Sequence, residues 1–173
     1  TKFVDNKAKI TGGGLVIMNT HAVTCSVCIF ADNTAGTYRT DGKYFEIVDE
    51  RDVKLSCNCR GGALYMHKIN TIGISMSKFI NNSANGGPGG SVFALFVQSL
   101  FNRNCIVRNN FAQSSGGAIY VSKSLSVHNT FCKYVSNFAG GHGGGLSIVS
   151  KQFSNEFCVF TNSSAKQAGA VYY

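Results

Sequence analysis

Glycine pairs recur along this 173-residue chain, and each is followed at a near-constant distance by an asparagine. Counted from the second glycine of Gly12-Gly13, Gly61-Gly62, Gly89-Gly90, Gly116-Gly117 and Gly143-Gly144, the asparagines Asn33, Asn82, Asn110, Asn137 and Asn162 follow after 20, 20, 20, 20 and 18 residues. A sixth copy, Ala168 to Tyr173, breaks off with the sequence. Self-similarity at 25 to 28 residues marks stacked supersecondary units, none of which can bury its apolar face alone. Function in such a chain has to be read from columns of stacked residues.

Two positions past the second glycine stand Leu15, Leu64, Val92, Ile119, Leu146 and Val171, and two further on Ile17, Met66, Ala94, Val121, Ile148 and Tyr173. Residues at i and i+2 share one face of a strand, so these point inward together. The interleaved column, Val16, Tyr65, Phe93, Tyr120, Ser147 and Tyr172, points outward as an aromatic stripe. At the asparagine end, Phe30-x-x-Asn33-x-Ala35 and Phe79-x-x-Asn82-x-Ala84 are the clearest copies of a second motif. Asn33, Asn82, Asn110, Asn137 and Asn162 are expected to form a hydrogen-bonded ladder, each also taking the left-handed backbone of a sharp corner. With 20 glycines, one proline and no sustained 3.6-residue apolar period, the pattern predicts an all-β parallel β-helix of five to six coils. At a rise of about 4.8 Å per coil the prism would be about 25 to 30 Å tall.

The elements Gly61-Gly-Ala-Leu-Tyr65, Gly116-Gly-Ala-Ile-Tyr120, Phe79-Ile-Asn-Asn82 and Phe30-Ala-Asp-Asn33 resemble the GGA[ILV] and FxxN tandem motifs of the polymorphic membrane protein repeats. That family is known from chlamydial autotransporters, and similar repeats occur in protist surface proteins. The resemblance runs from about residue 12 to the end. It implies a right-handed parallel β-helix, an extracellular or cell-surface location and a role in adhesion. The copies at 89–93, 143–147 and 168–172 are degenerate, and no β-barrel anchor is visible in the sequence.

The chain is expected to be a single β-helix domain, 1–173, with an inserted loop at about 36–60. No recognisable capping unit opens or closes it, which suggests a section of something longer or an assembly subunit. The insertion carries five of the eight acids together with Tyr38 and Tyr44, and is a candidate partner site or simply a tolerated excursion. From residue 61 onward eight basic residues face one acid, Glu156. That excess favours anionic partners such as a sulfated or uronic glycan or an anionic membrane, with nucleic acid ranked below the glycan and a partner surface protein kept as the other candidate; equally, the cations could simply keep flat faces soluble.

Cys28, Cys105, Cys132 and Cys158 recur four or five residues before an asparagine and form an inward column. The leading reading of that column is buried thiols packed as small hydrophobes; as neighbours on adjacent coils, Cys105 and Cys132 are also within the Cα range of a disulfide. A second bridge is expected from Cys57 or Cys59 in the insertion to Cys25. Cys25-x-x-Cys28 with Cys57-x-Cys59 has enough thiolates for zinc, but residues three apart on one strand face opposite ways, so no metal is expected, and no cofactor.

Polysaccharide lyases and hydrolases share the β-helix scaffold, but their chemistry needs carboxylates converging on a sugar. The repeat body offers only Glu156, so a non-enzymatic role leads. In the first reading, sugars meet Tyr65, Phe93 and Tyr120 while Lys68 and Lys123 hold anionic groups. In the second, open ends stack on another copy as a filament subunit. Asn81-Asn-Ser and Asn162-Ser-Ser are glycosylation sequons for a eukaryotic chain, and with Asn162 in the ladder Asn81 is the expected acceptor.

Overall fold

A computed structural model describes residues 1–36, 47–48, 54–55 and 59–173. Its described residues contain no helix; they wind as a parallel β-solenoid of about six turns, with three six-stranded sheets running along the axis. Each complete turn has a long strand, a three-residue strand and a third of two to five residues, as in Leu64–Ser75, Lys78–Ile80 and Ser83–Ala84. Leu15, Leu64, Val92, Ile119, Leu146 and Val171 are successive partners, as are Val16, Tyr65, Phe93 and Tyr120, and the register shifts only after Val121 and after Ala139 among the described residues.

The inward columns close the core. Leu64, Met66, Val92, Ala94, Ile119, Val121, Leu146 and Ile148 are buried, with Ile72, Leu100 and Val127 behind them. The two glycines of each pair serve different needs. Gly116 has φ +65, and a Cβ on Gly117 would overlap the carbonyl oxygen of Gly144 in the next turn. The first therefore supplies a left-handed turn and the second an absent side chain.

Each turn also bends at left-handed residues that are not glycine. Asn19, Lys68, Phe96 and Lys123 bend the long strand. Val27, Met76, Asn104, Phe131 and Phe157 form a corner before the three-residue strand, and Asp5, Asp32, Asn81, Asn109, Ser136 and Asn162 a corner after it. Such a conformation costs a side chain about 1–2 kcal/mol, least for Asn and Asp.

The residue after each corner turns inward. After the second corner these are Asn6, Asn33, Asn82, Asn110 and Asn137, joined Nδ2 to Oδ1 at 2.8, 3.0, 3.0 and 2.9 Å. The backbone N–H of Asn33 also donates to Asn82 Oδ1, and Asn82 Nδ2 also donates to the Phe30 carbonyl. Two expectations are corrected here. The ladder asparagines are not the left-handed residues, which immediately precede them. Asn162 is not in the ladder: it takes the exposed corner (φ 51), and Ser163 Oγ accepts from Asn137 N instead. The last coil is one residue shorter, so its ladder position falls 19 residues after Gly144 on Ser163; residue type rather than spacing pointed to Asn162. Asn6 extends the ladder at the other end; Phe3-x-x-Asn6-x-Ala8 is a copy of the motif that the glycine-anchored reading passed over.

After the first corner the inward residues are Cys28, Ser77, Cys105, Cys132 and Cys158. Cys25 and Cys28 are both buried, against the expectation that they face opposite ways, because the left-handed Val27 between them breaks the alternation. Cys25, Cys105 and Cys132 are free thiols, so neither the Cys105–Cys132 bridge nor a bridge to Cys25 forms. In-register neighbours keep their Cβ vectors parallel about 4.8 Å apart, whereas a disulfide needs Cβ atoms about 3.5–4.5 Å apart. Cys57, Tyr38 and Tyr44 lie outside the described residues. Gly36 and Cys59, where the insertion leaves and rejoins the coil, are adjacent, so the register of the stack continues across it.

Candidate lateral recognition face

The outward side of the long-strand sheet gathers the stripe and the lysines. Tyr65, Phe93 and Tyr120 stack with ring centroids 5.3 Å apart at both steps and interplanar angles of 5° and 7°. Parallel register at one coil per step leaves these rings no other arrangement, and their faces are largely occupied by one another. Phe93 is only 2% exposed. Arg60 lies over it, its guanidinium carbon 5.1 Å from the ring centroid, so the middle of the stripe is covered and the half-buried Tyr65 and Tyr120 are its accessible members. Arg60 was not singled out from sequence; the signal was its position directly before Gly61-Gly62, where the chain returns onto the stripe.

Lys68 and Lys123 occupy one column, as their spacing predicts, two coils apart with Phe96 between them. All three are exposed and left-handed. Lys123 Nζ sits 4.6 Å from the Phe96 ring centroid, a cation–π contact, and His67 meets the same ring edge-on at 5.6 Å. Beside the stripe Arg60, Pro88, Phe93, Leu95, Ser114, Ser115, Tyr120 and Ser122 line a hollow of about 270 Å³. None of the described residues in these outward columns is acidic. The arrangement can hold an anionic group against cations while ring edges and hydroxyls meet a polar, flat-faced ligand.

Away from this face, a second ladder lies inside the solenoid. Asn102 Nδ2 donates to Asn129 Oδ1 at 2.7 Å, and Asn129 Nδ2 to Asn155 Oδ1 at 2.8 Å; the Tyr134 hydroxyl also donates to Asn129 Oδ1. Asn102 Oδ1 is buried without a partner. Sequence reading missed this ladder, although the 27- and 26-residue spacings are visible. Burial pushes the Cys25 thiol up to about 12. Cys132 rises too, chiefly because of its hydrogen bond with Cys105, which in turn lowers Cys105. Of the sequon asparagines, both are exposed and both fall in the polar corner column; Asn81 Nδ2 donates to Asp32 Oδ1 at 3.0 Å.

No curated protein and no solved structure matches the chain. One family model does, over residues 104–122, a stretch running from the left-handed Asn104 through the ladder's Asn110 and the Gly116-Gly117 pair to the outward Tyr120. That coil is a match to the Chlamydia polymorphic membrane protein repeat.

Proposed function

We propose that the chain is a non-enzymatic β-helix module of a cell surface or the extracellular space, and that it recognises an anionic glycan through its lateral face. The observation that carries the reading is the pairing of two parallel columns: Tyr65–Phe93–Tyr120, and beside it Lys68–Phe96–Lys123, with no described acid among them. A rigid lattice of that kind meets a repeating anionic polymer at regular intervals. Tyr65 and Tyr120 offer ring edges and hydroxyls to sugar rings, while Lys68, Lys123 and Arg60 offer cations to sulfate or carboxylate groups. A role in adhesion follows from display of this face, and the matched repeat, from a family of chlamydial surface proteins, supports the surface setting. The described carboxylates support no glycosidase or lyase reading: Asp5 and Asp32 share the polar corner column, and Glu156 belongs to a long strand four turns beyond Asp32.

Titration with heparin-like oligosaccharides and with a neutral dextran tests the reading. Salt-sensitive binding to the sulfated ligand, weakened about tenfold by Lys68→Gln with Lys123→Gln, is expected. Binding that ignores salt, or is indifferent to the two lysines, rejects it.

A second reading rests on the hollow of about 180 Å³ at one end of the core, lined by apolar groups including Phe3, Leu15, Ile17 and Val23. Another coil would close it, supplied by further chain or by a second copy. Light scattering across a concentration series separates end-to-end association from a monomer.

A further inference from the structure

The first left-handed corner makes an exposed apolar edge running the length of the solenoid. Val27, Met76, Phe131 and Phe157 are 61, 55, 48 and 76% exposed, in a column broken only by Asn104. Phe131 and Phe157 stack at 5.0 Å. These are the residue types least suited to a left-handed backbone, and they are at most about half covered within the chain; Asn104 shows that a polar residue fits the same corner. The other corner of the same strand is polar in all six turns. An outlier repeated turn after turn on the surface points to a use for the apolar side chains outside the fold.

The geometry points to an anionic lipid surface as the partner of this edge. Lys78 and Lys133 stand two residues beyond Met76 and Phe131, Arg103 stands one before Asn104, and all three are exposed. Glu156 is the acid in these flanking columns. Apolar side chains projecting from a convex edge, with long basic side chains beside them, match an interface of acyl chains beneath acidic headgroups. The lysine stems can lie along the apolar layer while their ammonium groups reach phosphate. A second copy of the chain is disfavoured as occupant, since it would bring like-charged flanks together. The edge lies on a different corner from the lateral face, so this inference stands or falls independently of the glycan reading.

Flotation of the chain with vesicles of phosphatidylcholine, with and without phosphatidylserine, is the test. Binding to the phosphatidylserine vesicles is expected, several-fold weaker on the neutral ones. Phe131→Asn with Phe157→Asn should lower it about tenfold or more, while the melting temperature stays within a few degrees and binding to sulfated oligosaccharide is retained. Lys78→Gln with Lys133→Gln should remove the preference for anionic vesicles. The inference is overturned if the parent floats with neither vesicle, if neutral and anionic vesicles bind alike, or if the phenylalanine variant binds as the parent does. Retention by an immobilised acidic peptide in place of the vesicles would also overturn it, assigning the edge to protein contact.

Discussion

The two corners flanking the strand Lys78–Ile80 and its equivalents solve one backbone problem with different side chains. Each places a left-handed residue outside and turns the next residue in, leaving an inward N–H that points along the axis. At the polar corner that N–H meets the amide oxygen of the next turn's asparagine, as Asn110 N meets Asn137 Oδ1 at 3.1 Å. At the apolar corner it meets a hydroxyl or a thiol: Cys28 N donates to Ser77 Oγ at 3.0 Å, and Cys132 N to Cys158 Sγ at 3.4 Å. Amide oxygen is a strong acceptor with a second lone pair for the neighbouring Nδ2, whereas sulfur is a weak one. The thiol column is thus a weak counterpart of the asparagine ladder, and the corner it supports is the one whose outer residues are least suited to their backbone.

The largest effect should come from the ladder. Asn110→Ala leaves Asn82 N and Asn82 Nδ2 without their shared acceptor in the core and should cost about 3 kcal/mol or more by denaturant unfolding. Asn162→Ala, at the exposed corner, should cost about 1 kcal/mol, the left-handed preference alone. Equal losses at the two sites would dissolve the distinction between ladder and corner.

Exchanging the corners comes next. Asn109→Val should destabilise by about 1–2 kcal/mol, and Val27→Asn should stabilise by about 1 kcal/mol, because both act mainly through the left-handed backbone. A loss at Val27→Asn would mean that its side chain is held by contacts within the fold.

Smaller still, Cys132→Ser should shift stability by less than about 1 kcal/mol in either direction, as Ser77 already fills the same column. A large loss would show that packing, not the weak acceptor, is the thiol's role. Last, and only in alkaline solution, the thiols should be seen in the pH dependence. Cys25 titrates near 12 when folded, above its unfolded value of about 8.5. The folded state therefore holds the proton longer; the contribution is complete below about pH 8.5 and falls away as pH rises toward 12. Cys25→Ala should flatten that decline in unfolding free energy, and an unchanged slope would contradict the burial of this thiol.

Much of the stack was legible before any coordinates. Leu64, Val92, Ile119 and Leu146 point inward, and Tyr65, Phe93 and Tyr120 align, because coil period and strand alternation fix both by counting. Counting failed wherever a left-handed residue reset the alternation. Cys25 and Cys28 ended on the same side of the wall; separately, the last coil is one residue shorter, and its ladder position passed to Ser163. Bulky Val27, Phe131 and Phe157 gave no local sign of a corner, since sequence rules reserve that backbone for glycine and asparagine.

What the sequence determined by itself is the repeat, its period, the identity of most stacked columns and the cationic balance of the coils. These are properties of residue order, and parallel stacking converts equal spacing into contact. Only the tertiary structure decided which outward residues are accessible. Arg60 covers Phe93 from outside the strand, and Phe96 intervenes between Lys68 and Lys123. The apolar edge likewise emerged from residues whose exposure depends on where the chain bends. Accessibility is set by what arrives from neighbouring turns, and no single coil's sequence contains that information.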